Sequence, residues 1–566
     1  MFNTSAGDMM MDCLIDWGVD HIYGMPGDSI NTLIESLRKV QDKIQFIQVR
    51  HEEAGALAAA AYAKLTGKLG VCMGIAGPGA IHLLNGLYDA KLDKAPVLAI
   101  VGQVETDLIG TDFFQEIDLV NVFKDVAVYS QMVMSAEQLP VILNQAIRTA
   151  YDKKGVSVLI IPDDVPKFKV QRHARQTNSF YVQSTILPQE RDLEQAAAIL
   201  NQAKRPVILA GKGAKGASES LLAVAEKMRA PIILSLPGKG VIPDEHPYCL
   251  GGLGLIGTKP ATAAMEDADT LIMVGTSFPF TGFLPKNAKT LQIDTDPSQI
   301  GKRYSVDVGL AGDSFQTLNR LIPLINNNNE GTFLKQCQKN INEWREKLQE
   351  QEQDDSIPIK PQRVIHALQE VADDDAVLSV DVGNVTVWMA RHFKMTNQKF
   401  VISSWLATLG CGLPGAIAGK MAFPNKQVFA ICGDGGFQMM MNDFVTAVKY
   451  KLPLIVIVLN NHKIAMIKFE QEVMGNAEFG TNLHNPDFAR YADICGGMGY
   501  KVEHPDDLLP VLKKAISANK PCIIDVIVDA NEAPLPAKIT LGQATGYARH
   551  MLKELFQEGK IHKPPL

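Results

Sequence analysis

Short apolar runs alternate with helical patterns along this chain, and no other feature limits its fold as strongly. In the first third, residues 44–49, 69–76 and 97–101 read as strands, with helices starting at Glu53 and Ile81 between them. Strands alternating with helices require right-handed crossovers and a parallel sheet. A second such unit begins near Pro206 and a third near Pro361. The joins show as composition shifts: residues 167–189 are polar and irregular, while 326–332 and 349–362 mix an Asn run, acids and prolines. The expected fold class is α/β, with three doubly wound parallel-sheet domains at 1–180, 181–345 and 346–566. Their similar sizes suggest an old duplication.

A chain of 566 residues exceeds one core, which agrees with three or four domains at ~150 residues each. Charged residues are 21% and the net charge is −7, so no basic field recruits nucleic acid, and a small-molecule partner is expected. Residues 1–12 lack a basic region followed by an apolar stretch, and no apolar run approaches the ~18 residues that span a bilayer. A cytoplasmic protein is expected. Eight cysteines occur without a C-x-x-C pair or a nearby histidine pattern, so neither a zinc site nor a disulfide framework is indicated.

Gly433-Asp434-Gly435 closes one apolar strand, 427–432, and Asn460-Asn461 closes the next, 454–459. Asp, Asn and Gly are also ordinary turn residues. A carboxylate and an amide oxygen at adjacent strand ends nevertheless suit a hard cation that keeps other positions for phosphate oxygens. Residues 437–450 read as a helix whose N-terminus faces the same anion. This spacing resembles the signature of thiamine diphosphate enzymes. The resemblance implies that Asp434, the Asn461 side chain and the Lys463 carbonyl hold Mg2+. It also sets Gly383, Gly433, Gly435 and Gly436 against the cofactor.

Val49-Arg50-His51-Glu52-Glu53 places an acid at the end of an expected strand, where open parallel sheets bind ligands. Both acids also favour a helix N-terminus, and for Glu53 that is the whole reading. The resemblance makes Glu52 the carboxyl that bonds the aminopyrimidine and activates the cofactor. Gly77-Pro78-Gly79, with His82 and Asn85 behind it, and the Gly24-Met25-Pro26-Gly27 turn lie near the pyrimidine or substrate by the same resemblance. Read on their own residues they are tight turns and a structural histidine. The family binds its cofactor between the first domain of one chain and the third of another, which implies a homo-oligomer, with a homotetramer expected.

In the middle domain, Gly211-Lys212-Gly213-Ala214-Lys215-Gly216 follows a strand at 206–210. A nicotinamide site would need an acid at the end of the next strand, but Pro237-Gly238-Lys239-Gly240 follows 231–236 instead. Gly275-Thr276-Ser277, the stretch from Leu291 through Asp294 and Asp296, and Gly312-Asp313 resemble the central domain of FAD-containing pyruvate oxidases. That implies diphosphate contacts from Gly211, Gly213, Gly275, Thr276 and Ser277, and adenosine contacts from Asp294 and Asp313. Related enzymes keep this domain without flavin.

The resemblance is closest to pyruvate oxidases over nearly the whole chain. Thr111-Asp112-Phe113-Phe114-Gln115-Glu116 resembles their loop between flavin and substrate, with Phe114 and Gln115 at the matching positions. The run from Ile464 to Glu472 resembles the helix whose active-site acid maps to Glu470. Met466 stands one turn earlier, where oxidases often have Phe. Leu409 takes the place of a residue, often Met, that props the cofactor into its bent shape, and its similar volume suits that task. The implied activity is oxidative decarboxylation of pyruvate with electrons passed to FAD, giving acetate or acetyl phosphate. Quinone or oxygen then reoxidises the flavin. The tail, with Tyr547, Ala548, Met551, Leu552, Leu555 and Phe556 as an apolar stripe beside Arg549, Lys553 and Lys560, resembles those of quinone-linked oxidases. It implies peripheral contact with the inner face of the membrane, although a helix packed on its own protein shows the same stripe. The alternatives are an acetolactate synthase with a non-redox FAD, and a non-catalytic flavoprotein. Glu52, Asp434 and Asn461 together stand against the latter.

Overall fold

The computed structural model describes residues 3–171, 180–328, 330–534 and 550. Three six-stranded sheets, each parallel throughout, carry the fold. The first runs in the order Gln45–Gln48, His21–Gly24, Gly70–Gly74, Val97–Gln103, Val156–Pro162, Ala127–Met132. The third runs Lys399–Val401, Val377–Val380, Val428–Gly433, Ile455–Asn460, Cys522–Ile527, Met498–Val502. Numbered along the chain, both orders are 2-1-3-4-6-5. The middle sheet differs. Its order, Cys249–Gly252, Ile232–Leu234, Pro206–Ala210, Thr270–Val274, Lys289–Asp294, Val308–Ala311, is 3-2-1-4-5-6, the arrangement of doubly wound dinucleotide folds. The expected duplication therefore fits the two outer units and not the middle one.

Strands buried on both faces are continuous apolar runs, as in Val97–Gln103 and Val428–Gly433. The outer units share one core. The Ala-rich helix Glu52–Thr66 is buried along most of its length, packed between Leu84–Leu92 of its own unit and Gly412–Ala422 of the third. Small side chains on these helices let the axes approach: a Cβ on Gly86 would lie 2.5 Å from the Leu57 nitrogen.

The helix expected over 437–450 starts earlier, at Asp434, and stops at Met440; a 3-10 turn, Met441–Asp443, separates it from Phe444–Lys449. The break comes where Asp443 accepts hydrogen bonds from the Arg50 N–H, 2.9 Å, and from the Thr446 hydroxyl, 2.8 Å. Only one short helix, not a long one, directs its N-terminus at the Gly433 turn. The apolar tail stripe lies outside the described residues. Among the described residues no helix is long and apolar enough to cross a membrane. All eight cysteines are free thiols, seven of them buried.

Candidate active site

Sheets of order 2-1-3 open a crevice between the first and third strands, beyond their carboxyl ends. In the first unit that crevice lies between the turns after His21–Gly24 and Gly70–Gly74. Glu52 reaches it as the first residue of its helix and is only 7% exposed. Its Oε2 lies 2.9 Å from His82 Nδ1, and the His82 ring stacks on His51 with centroids 4.4 Å apart. Gly79 is required there, because a Cβ would come within 3.0 Å of Glu52 Oε1 and 2.8 Å of Ile75. Gly27 likewise packs on Ile75. Gly77, at φ +64, abuts the backbone of Gln115, itself at φ +63. The Phe114-Gln115 loop thus seats on the Gly77 turn, while Phe114 stays 74% exposed. Glu116 shapes this loop by accepting from Gly110 and Phe113 N–H groups.

Glu53 does more than start a helix. It accepts from Asn85 Nδ2 at 2.5 Å, and the same nitrogen donates to Thr408 Oγ1 at 2.8 Å, next to Leu409. Asn85 therefore ties the first unit to the segment that carries Leu409.

In the third unit Asp434 is 2% exposed. Its Oδ1 accepts from Gly435 N–H at 3.1 Å and its Oδ2 from Asn485 Nδ2 at 2.7 Å. Burial raises its pKa, and no ion pair among the described residues balances its charge. A divalent cation would do so. Asn461 Oδ1 accepts from Lys463 N–H at 3.0 Å, folding this segment into a turn with His462 at φ +59. Lys463 sends its amine away, to Glu478 and Asn482. Its carbonyl is the group left for a metal. A carboxylate, an amide oxygen and a carbonyl are a hard donor set that fits Mg2+. A Cβ on Gly433 or Gly383 would meet nothing within 4 Å, so space is open before both turns. Asn460 is occupied structurally, donating to Asp525 and accepting from Asn485.

Behind the Gly433 turn lies Asp381, 1% exposed. It accepts N–H bonds from Val382, Gly410 and Gly412 at 2.8, 2.9 and 3.2 Å, joining the end of strand Val377–Val380 to the Leu409 segment. Burial pushes its carboxyl up to about 6 despite those bonds. A Cβ on Gly436 would lie 2.9 Å from this carboxyl, which explains that glycine without a cofactor. Sequence reasoning missed both Asp381 and Asn485. The first had a signal, an Asp two residues before a glycine at a strand end; the second had none. Glu470 sits exposed on the helix Ala465–Val473, with Met466 partly buried one turn before it.

At the switch point of the middle sheet the Gly211–Gly213 and Gly275–Ser277 turns meet. A Cβ on Gly275, which has φ +60, would lie 2.3 Å from the Gly213 carbonyl carbon, so these glycines are fixed by turn-on-turn packing. Gly211 similarly abuts Thr276, whose carbonyl accepts from Gln292. Ser277 is held by Arg303 at 2.8 Å, and that guanidinium lies 4.9 Å over the Trp405 ring of the third unit. Asp294 Oδ1 accepts from Asp296 N–H, and burial raises its pKa. Asp313 caps the helix Ser314–Leu321 through Gln316 N–H, a role not read from sequence.

All three units meet at a buried ionic junction. Lys64 Nζ lies 2.6 Å from Asp89 and 2.5 Å from Asp93, Asp93 accepts from Ser404 N–H, and Lys212 donates to the Asp93 carbonyl at 2.7 Å. Burial lowers the Lys212 amine to about 8, whereas the two aspartates overcome burial and hold Lys64 above its ordinary value. Among the described residues no hydrogen bond or ion pair joins the Glu52 group to the Asp434 group.

Three family signatures match in chain order. The thiamine pyrophosphate enzyme N-terminal TPP binding domain matches residues 4–122, the central domain 193–321, and the C-terminal TPP binding domain 381–526. The chain is 53% identical to YdaP of Bacillus subtilis (strain 168), a protein named as thiamine pyrophosphate-containing, across 100% of this chain and 99% of the relative. It is 38% identical to a pyruvate oxidase of Lactiplantibacillus plantarum, covering 96% and 92%. It is also 32% identical to the acetolactate synthase isozyme 3 large subunit of Escherichia coli (strain K12), covering 95% and 97%. With its carboxylate at the first crevice and its oxygen donors at the third, the chain belongs to the thiamine pyrophosphate enzyme family.

Proposed function

We propose that the protein is a pyruvate oxidase that uses thiamine diphosphate, Mg2+ and FAD, releasing carbon dioxide and forming acetate or acetyl phosphate. The observation that carries this reading is the middle sheet, whose 3-2-1-4-5-6 order puts two glycine turns at its switch point, beside Trp405. Strand Ile232–Leu234 is followed by Ser235 and Leu236 rather than an acid, which stands against a nicotinamide ribose. The 38% identity to a pyruvate oxidase supports the oxidase branch. So do Glu470 and the Phe114-Gln115 loop seated on Gly77.

When bound, thiamine diphosphate supplies a nucleophilic carbon and an electron sink, and FAD takes up an electron pair. The residues of the chain do the rest. Glu52 holds a proton at its carboxyl facing the aminopyrimidine, with His82 orienting it. Asp434, Asn461 and the Lys463 carbonyl would hold the metal, with Asn485 fixing the Asp434 carboxylate and Asp381 fixing the backbone at Gly410 and Gly412. Leu409 would pack against the bound thiamine diphosphate. Gln115 donates an amide hydrogen bond toward substrate, and Glu470 exchanges a proton at the substrate oxygen.

The reading includes a homo-oligomer, a tetramer, in which Glu52 of one chain meets the Asp434 turn of another. The absence of a bond between the two groups within the described part of one chain supports it, as do the exposed Phe114, Met474 and Phe479, at 74%, 74% and 85%. A membrane quinone is the proposed oxidant of the flavin, through peripheral contact at the membrane's inner face. More turnover with quinone and lipid than with oxygen is expected; equal or faster peroxide formation without lipid would reverse that choice. The decisive experiment is anaerobic mixing with pyruvate. Bleaching of the flavin absorbance is expected. Unbleached flavin with acetolactate as product would move the activity to the synthase branch.

A further inference from the structure

We propose that His51, Glu52 and His82 form a transition-metal site, taking zinc, whose occupation excludes thiamine diphosphate from Glu52. One ligand atom from each of the three residues lies within 4.8 Å of the others. Two imidazole nitrogens and one carboxylate oxygen are the donor set of open zinc sites, which keep a fourth position for water. Imidazole selects zinc, copper and nickel over Mg2+, so this group and the all-oxygen group at Asp434 attract different ions.

The local geometry supports capture. Glu52 is buried at 7% exposure while the His82 side chain is 42% exposed, which gives an entry path from solvent to a sheltered carboxylate. Glu52 Oε2 and His82 Nδ1 already lie 2.9 Å apart, and the His51 ring stacks beside His82 with centroids 4.4 Å apart, so His51 must rotate out of that stack to aim its in-plane lone pair at the same ion. His51 carries a cost. Its Nδ1 accepts from Glu53 N–H at 3.3 Å, so coordination through Nε2 needs the other tautomer and gives up that long bond. The site should therefore bind in roughly the micromolar range, more weakly than a structural zinc site.

The exclusion rests on the proposed placement of the aminopyrimidine at Glu52, because one carboxylate cannot serve both the ring and the metal. Free zinc would then inhibit by keeping the cofactor out, not by displacing Mg2+.

The test uses the full chain, freed of cofactor and metal by dialysis against EDTA. Zinc is titrated calorimetrically, and Co2+ is the spectroscopic probe, since tetrahedral ligation gives it a strong visible absorbance. One ion per chain is expected. His51→Ala and His82→Ala should each weaken binding about tenfold or more, by loss of a ligand, while His246→Ala, in the middle unit, should not. Far-UV circular dichroism checks that each variant is folded. Added thiamine diphosphate with Mg2+ should raise the apparent zinc Kd in proportion to its concentration. No binding, or binding unchanged in both histidine variants, would overturn the site. Binding lost in the variants yet indifferent to thiamine diphosphate would overturn the exclusion and the placement of the pyrimidine at Glu52. Flavin chemistry enters neither readout, so failure of the oxidase reading would leave this result intact.

Discussion

Replacing Asp381 by Asn should change how stability depends on pH more than it changes stability at any one pH. The carboxyl is buried, and burial moves it from 3.8 to about 6. At ~1.4 kcal/mol per unit, that rise is about 3 kcal/mol. The folded protein holds this proton more tightly than the unfolded chain does. Its contribution is therefore complete below about pH 4 and is lost as the pH rises through about 6. Roughly two-thirds of the loss falls between about pH 4.5 and pH 8, or about 2 kcal/mol. Asn has no such proton. Its oxygen can replace Oδ1, which serves Val382 and Gly410, but its NH2 would face the Gly412 N–H that Oδ2 now accepts. That orphaned donor costs about 1–3 kcal/mol at every pH. The wild type should thus be the more stable protein at about pH 4.5, with a gap that closes or reverses by about pH 8. Urea unfolding can be followed by the fluorescence of Trp388, on the helix Asn384–His392 that starts just beyond Asp381. Other titrating groups are common to both proteins and cancel. A gap that stays the same at both pH values would refute the reasoning.

Glu52→Gln should retain cofactor but lose most turnover, because the amide cannot hold the proton at the pyrimidine; near-normal pyruvate decarboxylation would sink that role. Asn485→Ala removes a donor from Asp434 and should weaken Mg2+ affinity by about 10–100-fold, read by metal titration in the presence of thiamine diphosphate. Lys64→Met strands Asp89 and Asp93 in the core and should cost about 3–5 kcal/mol in denaturant unfolding, with partial recovery when both aspartates become Asn. Gly275→Ala drives a Cβ into the backbone of Gly213 and should abolish flavin retention through purification while leaving thiamine diphosphate binding measurable.

Much of the site was legible because its signals are local. Gly433-Asp434-Gly435 and Asn460-Asn461 are turn residues at the ends of apolar strands, and both turns stand at neighbouring strand ends, with Gly433 paired to Leu459. Glu52 could be placed at a helix start because its acid follows a strand and precedes an Ala-rich run. The roles within these motifs were less legible. Asn460 and Asn461 look equivalent in sequence, yet the first is buried against Asp525 and the second folds the Lys463 turn. Several glycines expected to make room for a cofactor also make room for this protein, as Gly436 does for Asp381 and Gly213 does for Gly275.

The sequence by itself determined three strand–helix units, their parallel sheets and the residue types at the crevices, because apolar period and turn chemistry act over a few residues. Only the tertiary structure decided the strand orders, equal in the outer sheets and different in the middle one, since order depends on how crossovers pack rather than on any local pattern. It also decided where the 434–449 segment breaks, because the Arg50 N–H that engages Asp443 comes from another unit. The same holds for Asn485, Asp381 and the Lys64 junction. Each is a polar group whose burial requires partners from distant parts of the chain, and only packing brings those partners within bonding distance.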